Sequence, residues 1–218
     1  MEWSIWLPVL WTSTLDTLYM VMVATFFTVL FGLPLGVLLV ATDRSGLMPA
    51  PLVNQILGTV VNAARSLPFI ILLVVVIPIT RLLTGTTIGA TAAIVPLSLA
   101  AIPFFARVSE TSLREVDRGL IEAAQSMGSS PWQIITRVLI PEALPSLVLG
   151  TAITIINLIG YSAMAGAIGG GGLGDLAIRY GYQRYETGIL VVTVLILIVM
   201  VQGLQALGNM LARRLSRK

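Results

Sequence analysis

The 218-residue chain contains no cysteine and no histidine. Lacking thiolate and imidazole, it has no ligands for zinc, iron–sulfur or haem centres, no disulfide, and no Ser-His or Cys-His nucleophile. Lysine is nearly absent too, the single one being Lys218 at the end of the chain. No G-x-x-x-x-G-K-[ST] phosphate loop is therefore possible, and any ATP chemistry coupled to this chain has to come from another. Charge is scarce, at 11% of residues, about half the usual share. What fills the chain is apolar: 56% of residues are hydrophobic, 20 are glycine, and mean hydropathy is +0.95. A soluble domain of this length needs a polar skin over its core. Here the ten acidic and thirteen basic residues cluster in short stretches with long uncharged gaps between them, as in an integral membrane protein.

A helix crossing ~30 Å of hydrocarbon needs about 20 apolar residues, so the uncharged gaps count the crossings. Asp16 to Asp43 leaves 26 residues, Arg81 to Arg107 leaves 25, Glu142 to Asp175 leaves 32, and Glu186 to Arg213 leaves 26. Arg65 to Arg81 encloses only 15, so a fifth crossing has to take Arg65 into its own helix. The expected spans are residues 15–41, 54–80, 84–106, 143–165 and 187–211. An outer lead-in over 1–13, with Trp3, Trp6 and Trp11 suited to the headgroup boundary, precedes them, and a basic tail over 213–218 comes after. With loops assigned alternately, one side carries three positive residues and the other nine. The positive-inside rule then puts the N-terminus outside and the C-terminus in the cytoplasm. No lysine or arginine precedes the first long gap, so the first segment reads as a retained helix and not as a cleaved signal.

Residues 108–141, between the third and fourth expected spans, are more than a connection needs. Asp117 is placed to cap a short helix with Leu120, Ile121, Ala124 and Met127 on one face, and Gly128 supplies its left-handed stop. The chain then restarts: Ser130 is a good N-cap, Pro131 fits the first helical position, and Gln133 can close a capping box. This second helix runs through Trp132 to Leu139 and is expected to stop before Pro141. The product is a helix, a glycine corner and a helix, projecting into the cytosol.

Glu122-Ala123-Ala124, then three residues, Gly128, nine residues and Val138-Leu139-Ile140-Pro141 resemble the EAA loop of permease subunits in bacterial ATP-binding-cassette importers. Val138 and Ile140 depart conservatively from that family's Ile-x-Leu-Pro. The resemblance implies that Glu122, Ala123, Ala124, Gly128 and Pro141 form the element that docks into a groove of the ATPase subunit. The stretches Arg65-Ser66-Leu67-Pro68-Phe69-Ile70-Ile71-Leu72-Leu73, Ala93-Ile94-Val95-Pro96-Leu97 and Gly160-Tyr161-Ser162-Ala163-Met164 through Gly174 resemble the methionine-importer branch of these permeases. That resemblance implies an all-α, five-helix type I importer transmembrane domain over 14–212, in a bacterial cytoplasmic membrane. Its implied partners are a second copy, two ATPase subunits holding ATP and Mg, an extracytoplasmic methionine-binding lipoprotein and membrane lipids, with no nucleic acid. The chain itself would carry no cofactor and perform no covalent step, so it is no enzyme alone. The implied cargo is methionine, D- and L-, with another small amino acid or related solute as the alternative.

Two features bear on a pathway. Gly150, Thr154, Asn157, Tyr161 and Met164 recur at spacings of 4, 3, 4 and 3, one helical face. Such a stripe either packs against a neighbour or faces a solute, and Asn157, Tyr161, Ser162 and Met164 are the candidates to contact or gate it. Arg65 is the other, since an unpaired arginine inside a span costs roughly 2.5 to 3.5 kcal/mol. It either snorkels to headgroups or pairs with Glu110, Glu115 or Glu142. Farther on, Gln202, Gln205 and Asn209 share a face and are expected to bond between helices.

Two decoys are set aside. Gly169-x-Gly171-x-x-Gly174 matches a dinucleotide fingerprint as a string, but it trails a membrane helix instead of a strand, and a flexible outer loop is the better reading. Gly172-Leu173-Gly174-Asp175 resembles the signature of intramembrane aspartyl proteases, yet that chemistry needs a second carboxylate. Asp16 lacks the context for it. A passive channel would leave the protruding loop unexplained.

Overall fold

The computed structural model describes residues 3–216. Met1 and Glu2 of the expected lead-in, and Arg217 and Lys218 of the expected tail, lie outside the described residues. The described chain is helical, with α1 Trp3–Ala41, α2 Pro51–Arg65, α3 Phe69–Val75, α4 Ile77–Thr84, α5 Ala90–Arg114, α6 Arg118–Ser126, α7 Pro131–Ile134, α8 Ile140–Gly166, α9 Gly172–Leu176 and α10 Thr187–Leu215. A π-helical turn over Ile135–Leu139 joins α7 to α8, and a second, Ala177–Tyr182, extends α9. Four helical runs are long and apolar enough to cross a membrane, and a bent pair, α2 with α3, makes a fifth.

Three boundaries differ from expectation. The lead-in is not a separate piece, because α1 runs unbroken from Trp3. The third span begins at Ala90 and continues to Arg114, so the first seven residues of the expected loop are helix. The second span is not one helix over 54–80, since α2 ends at Arg65 and α3 leaves it at 101°. Pro68 is the cause: it lacks a donor and forces Leu67 out of the helical region, so the helix must stop just before it.

Within a bilayer the helices are held by close packing more than by water exclusion. The main crossing is α1 against α5, and the backbones touch: a Cβ on Gly36 would lie 2.6 Å from Ser109 Cβ and 2.8 Å from the Ala106 carbonyl. Met20, Val21 and Ala24 of α1 meet Phe69 and Leu72 of α3, Leu97 and Ala101 of α5, and Leu158 and Ile159 of α8 in the central core. Several hydroxyls inside this apolar body are satisfied by their own helices, as where Thr25 donates to Val21 O at 2.7 Å and Thr154 to Gly150 O at 2.8 Å, whereas the buried Thr28 and Ser109 hydroxyls have no partner among the described residues. Asn54 Nδ2 donates to Leu39 O at 2.6 Å and so occupies a carbonyl that the end of α1 leaves open. Along α10, Gln205 bonds Asn209 of the same helix at 3.0 Å, so that pair does not bond between helices as expected.

The glycine run, expected as a loop, leads into the short helix α9. Gly171 and Gly172 sit at φ +75 and +76, turning the chain back so that α9 packs against the end of α8. The Leu173 N–H donates to Thr17 Oγ1 at 2.9 Å, and the Leu173 side chain is fully buried. Any Cβ at Gly174 would fall inside the contact distance of the Ala163 backbone, which cannot rotate away. Gly174→Ala is therefore expected to destabilise the purified protein by about 1–3 kcal/mol of overpacking, read as a lower melting temperature. The control is Gly160→Ala, where a Cβ meets nothing within 4 Å. Equal melting of the two variants would refute the close approach.

Candidate functional site

The hairpin obeys the local rules closely. Asp117 caps α6 by accepting from Gly119 N at 2.7 Å. At the other end Gly128, at φ +78, stops it: Ser129 N donates to Ala124 O at 3.1 Å and Gly128 N to Gln125 O at 2.9 Å, the paired bonds of a Schellman ending. Ser130 and Gln133 close a full capping box at the start of α7, with Pro131 in its first turn. Ala124 is buried at 3% exposure, whereas Glu122, Ala123 and Gly128 face outward. The expected apolar stripe divides: Ile121 packs inward, while Met127 is 79% exposed and, across the corner, Trp132 is 70% exposed.

Pro141 does not stop the second helix. Residues 131–166 form one continuous run of 36 residues. Proline removes a donor and crowds the carbonyl four residues back; the π turn immediately before it loosens that register, which lets the helix pass through. Ile135 and Leu139 on this turn are buried with Val37 and Ala41 of α1, Leu113 of α5, and Ala143 and Leu147 of α8. The hairpin is thus rooted in the membrane body and continuous with its fourth span.

Beside the root lies a charge cluster. Glu110, almost fully buried, accepts from Arg107 Nη1 at 2.6 Å and from Arg114 Nη2 at 3.0 Å. Arg114 also reaches Asp43 at 2.7 Å, in the α1–α2 turn, and Arg107 Nη2 donates to Gly58 O at 3.1 Å on α2. The hydrogen bond from Arg114, with that from the Arg44 N–H, holds the Asp43 carboxyl below the usual carboxylate range. Three helices are tied together by this cluster. It was legible in the spacing Arg107-x-x-Glu110-x-x-x-Arg114, which stacks the three on one helix face. Glu115 accepts from Ser146 Oγ at 2.7 Å, fastening α5 to α8.

The stripe along α8 splits into two parts. Gly150 packs against Val108, and Thr154 is buried, so the lower half is helix contact. Asn157 and Tyr161 are half-buried and Met164 is 48% exposed, leaving the upper half open. The Tyr161 ring stacks on Phe69 at 4.6 Å, beside the break between α2 and α3. Ser162 is not brought together with them: it is 2% exposed and its hydroxyl donates to Ile159 O at 2.8 Å. Arg65 sits outside any continuous span, at the last turn of α2, where a cation complements the helix dipole. Among the described residues it forms no ion pair, and Glu110, one expected partner, is held by Arg107 and Arg114 instead. In the glycine segment Asp175 pairs with Arg179, an ordinary i, i+4 bridge and no part of a carboxylate dyad.

An all-helical membrane body with an EAA-spaced hairpin rooted on its fourth span is the transmembrane subunit of a type I ATP-binding-cassette importer. The chain belongs to the family of binding-protein-dependent transport system inner membrane components, which it matches over residues 30–217. It is 54% identical to the protein named "Probable D-methionine transport system permease protein MetI" of Vibrio cholerae, over 95% of this chain and 92% of that one. To the "Methionine import system permease protein MetP" of Bacillus subtilis it is 41% identical, over 96% and 94%. Its fold matches a chain of the inward-facing MetNI methionine ABC transporter with a TM-score of 0.95 and 44% identity, covering 99% of both.

Proposed function

We propose that this chain carries methionine, in both enantiomers, across a bacterial cytoplasmic membrane, as a homodimer driven by two ATPase subunits and fed by an extracytoplasmic methionine-binding lipoprotein. The observation that most supports this reading is the near-complete match to the methionine transporter chain at 44% identity. ATP and Mg belong to the partner ATPase. The distribution of arginine supports an outside N-terminus and a cytoplasmic C-terminus, which puts the hairpin on the ATPase side. Glu122, Ala123 and Gly128 present the docking surface, Ala124 and the turn before Pro141 fix it to the bundle, and ATP binding draws the two hairpins together to open the dimer outward.

Asn157, Tyr161 and Met164 face the solute in this reading, with Ser162 behind them. Vesicles holding this chain, a cognate ATPase and a binding protein should take up labelled methionine only with ATP, and unlabelled methionine should compete better than other amino acids. Preferential competition by a different amino acid would support the alternative cargo. Alanine at Asn157, Tyr161 or Met164 should change the rate or KM without loss of ATPase copurification, and Ser162→Ala should change them least. Wild-type uptake in all four variants would end this assignment.

A further inference from the structure

The break after α2 leaves an exposed charged side chain at the corner between two helices. Fifteen residues of α2, at 1.5 Å each, carry the chain about 22 Å from Pro51 to Arg65. There the chain turns through 101°, and Phe69 enters the core beside Leu97, Ala101 and Leu158. A cavity of about 130 Å³ opens at this corner, lined by Arg65, Phe69, Leu72, Ala100, Phe104 and Tyr161. Arg65 is the sole charged group in that lining. Among the described residues it has no carboxylate partner, and two of its three expected partners are engaged elsewhere, Glu110 by arginines and Glu115 by Ser146.

A guanidinium does not shed its proton, and Arg65 is exposed with no carboxylate beside it among the described residues, so its donors are free to meet an anion. Its planar fork suits a carboxylate through two parallel hydrogen bonds. The stacked Phe69 and Tyr161 rings beside it suit an apolar or thioether stem, since sulfur packs well at aromatic edges. Tyr161 lies on the open half of the α8 stripe, so the cavity adjoins the face assigned to the solute. We propose that Arg65 receives the α-carboxylate of the amino acid in passage, with the Phe69–Tyr161 stack as the wall for its side chain. This rests on the transport reading. A lipid phosphate offers the same anionic chemistry, and the test below separates the two.

The test uses the assembled complex of this chain with its ATPase in lipid nanodiscs, and photo-methionine, a diazirine analogue that keeps the carboxylate. Labelled peptides are identified by mass spectrometry, and wild-type uptake is measured in parallel in vesicles that also hold the binding protein. Label is expected on the peptides holding Phe69 or Tyr161, protected by methionine and far less by methioninol, which lacks the carboxylate. Arg65→Gln should raise the half-protecting methionine concentration at least tenfold, and Arg65→Lys should raise it less. Should Arg65→Gln fail to copurify with the ATPase, the methioninol comparison on wild type and the Arg65→Lys variant decide. Equal protection by methionine and methioninol, or unchanged protection in Arg65→Gln, overturns the proposal. A wild-type complex that transports methionine but shows no protectable label there also overturns it, leaves the transport reading intact and favours a lipid phosphate. Protectable label without uptake would count against the transport reading and not against the site.

Discussion

Gly128→Val is expected to abolish ATP-driven uptake by the assembled importer. Gly128 holds φ +78, a region that costs an L-residue roughly 1–2 kcal/mol and a β-branched one more. The site is otherwise open: a Cβ there meets nothing within 4 Å. Backbone strain is thus the whole effect, uncomplicated by a clash. To relieve it the chain must leave the left-handed region, and with it go the two bonds from Gly128 and Ser129 that end α6. The angle between α6 and α7 changes, and with it the surface proposed to dock on the ATPase. Gly128→Asn is the control, because asparagine tolerates this conformation, and it should retain most of the uptake. Wild-type uptake by the valine variant would show that the corner's shape is not what transmits the motion.

The second large effect is on stability. Glu110→Gln should lower the melting temperature of the purified protein more than any single change at the rim of its cluster. Glu110 lies between two arginines, with its side chain 11% exposed. Removing its charge leaves Arg107 and Arg114 without their shared carboxylate, and because these arginines are 25% and 46% exposed and screened by water, the cost is about 1–3 kcal/mol. Asp43→Asn removes only the outer arm, at a side chain 28% exposed, and should cost about 1 kcal/mol or less. The two variants can be compared by thermal unfolding in the same detergent. Equal shifts would mean that the cluster is solvated in solution and does not bind the three helices.

Much of this architecture was readable because charge is so expensive in hydrocarbon that it marks the ends of helices. The caps were readable for a related reason, as Asp117, Gly128, Ser130 and Gln133 each satisfy backbone groups within four residues, with no help from distant parts of the chain. The misreadings concern direction. Counting uncharged residues measures how much apolar chain exists, not which way it runs, and so Asn54 to Thr80 read as one rod although Pro68 announced the corner. Pro141 was the opposite case. Read as a stop, it is carried through by a π turn that has no local sequence mark and depends on Ile135 and Leu139 being buried against α1 and α5. Ser162 likewise shares a sequence neighbourhood with Tyr161 and Met164 but not their face.

The unbroken run of 36 residues from Pro131 to Gly166 measures about 54 Å. Near its midpoint Gly150 sits hard against Val108, and its far end grips the returning glycine segment. A stiff beam resting on a central fulcrum moves its two tips oppositely. In the proposed dimer, a swing of Trp132 toward the two-fold axis would carry Gly166 away from it to the extent that the run stays rigid through its π turn at Ile135–Leu139, making narrowing at one end and widening at the other a single displacement.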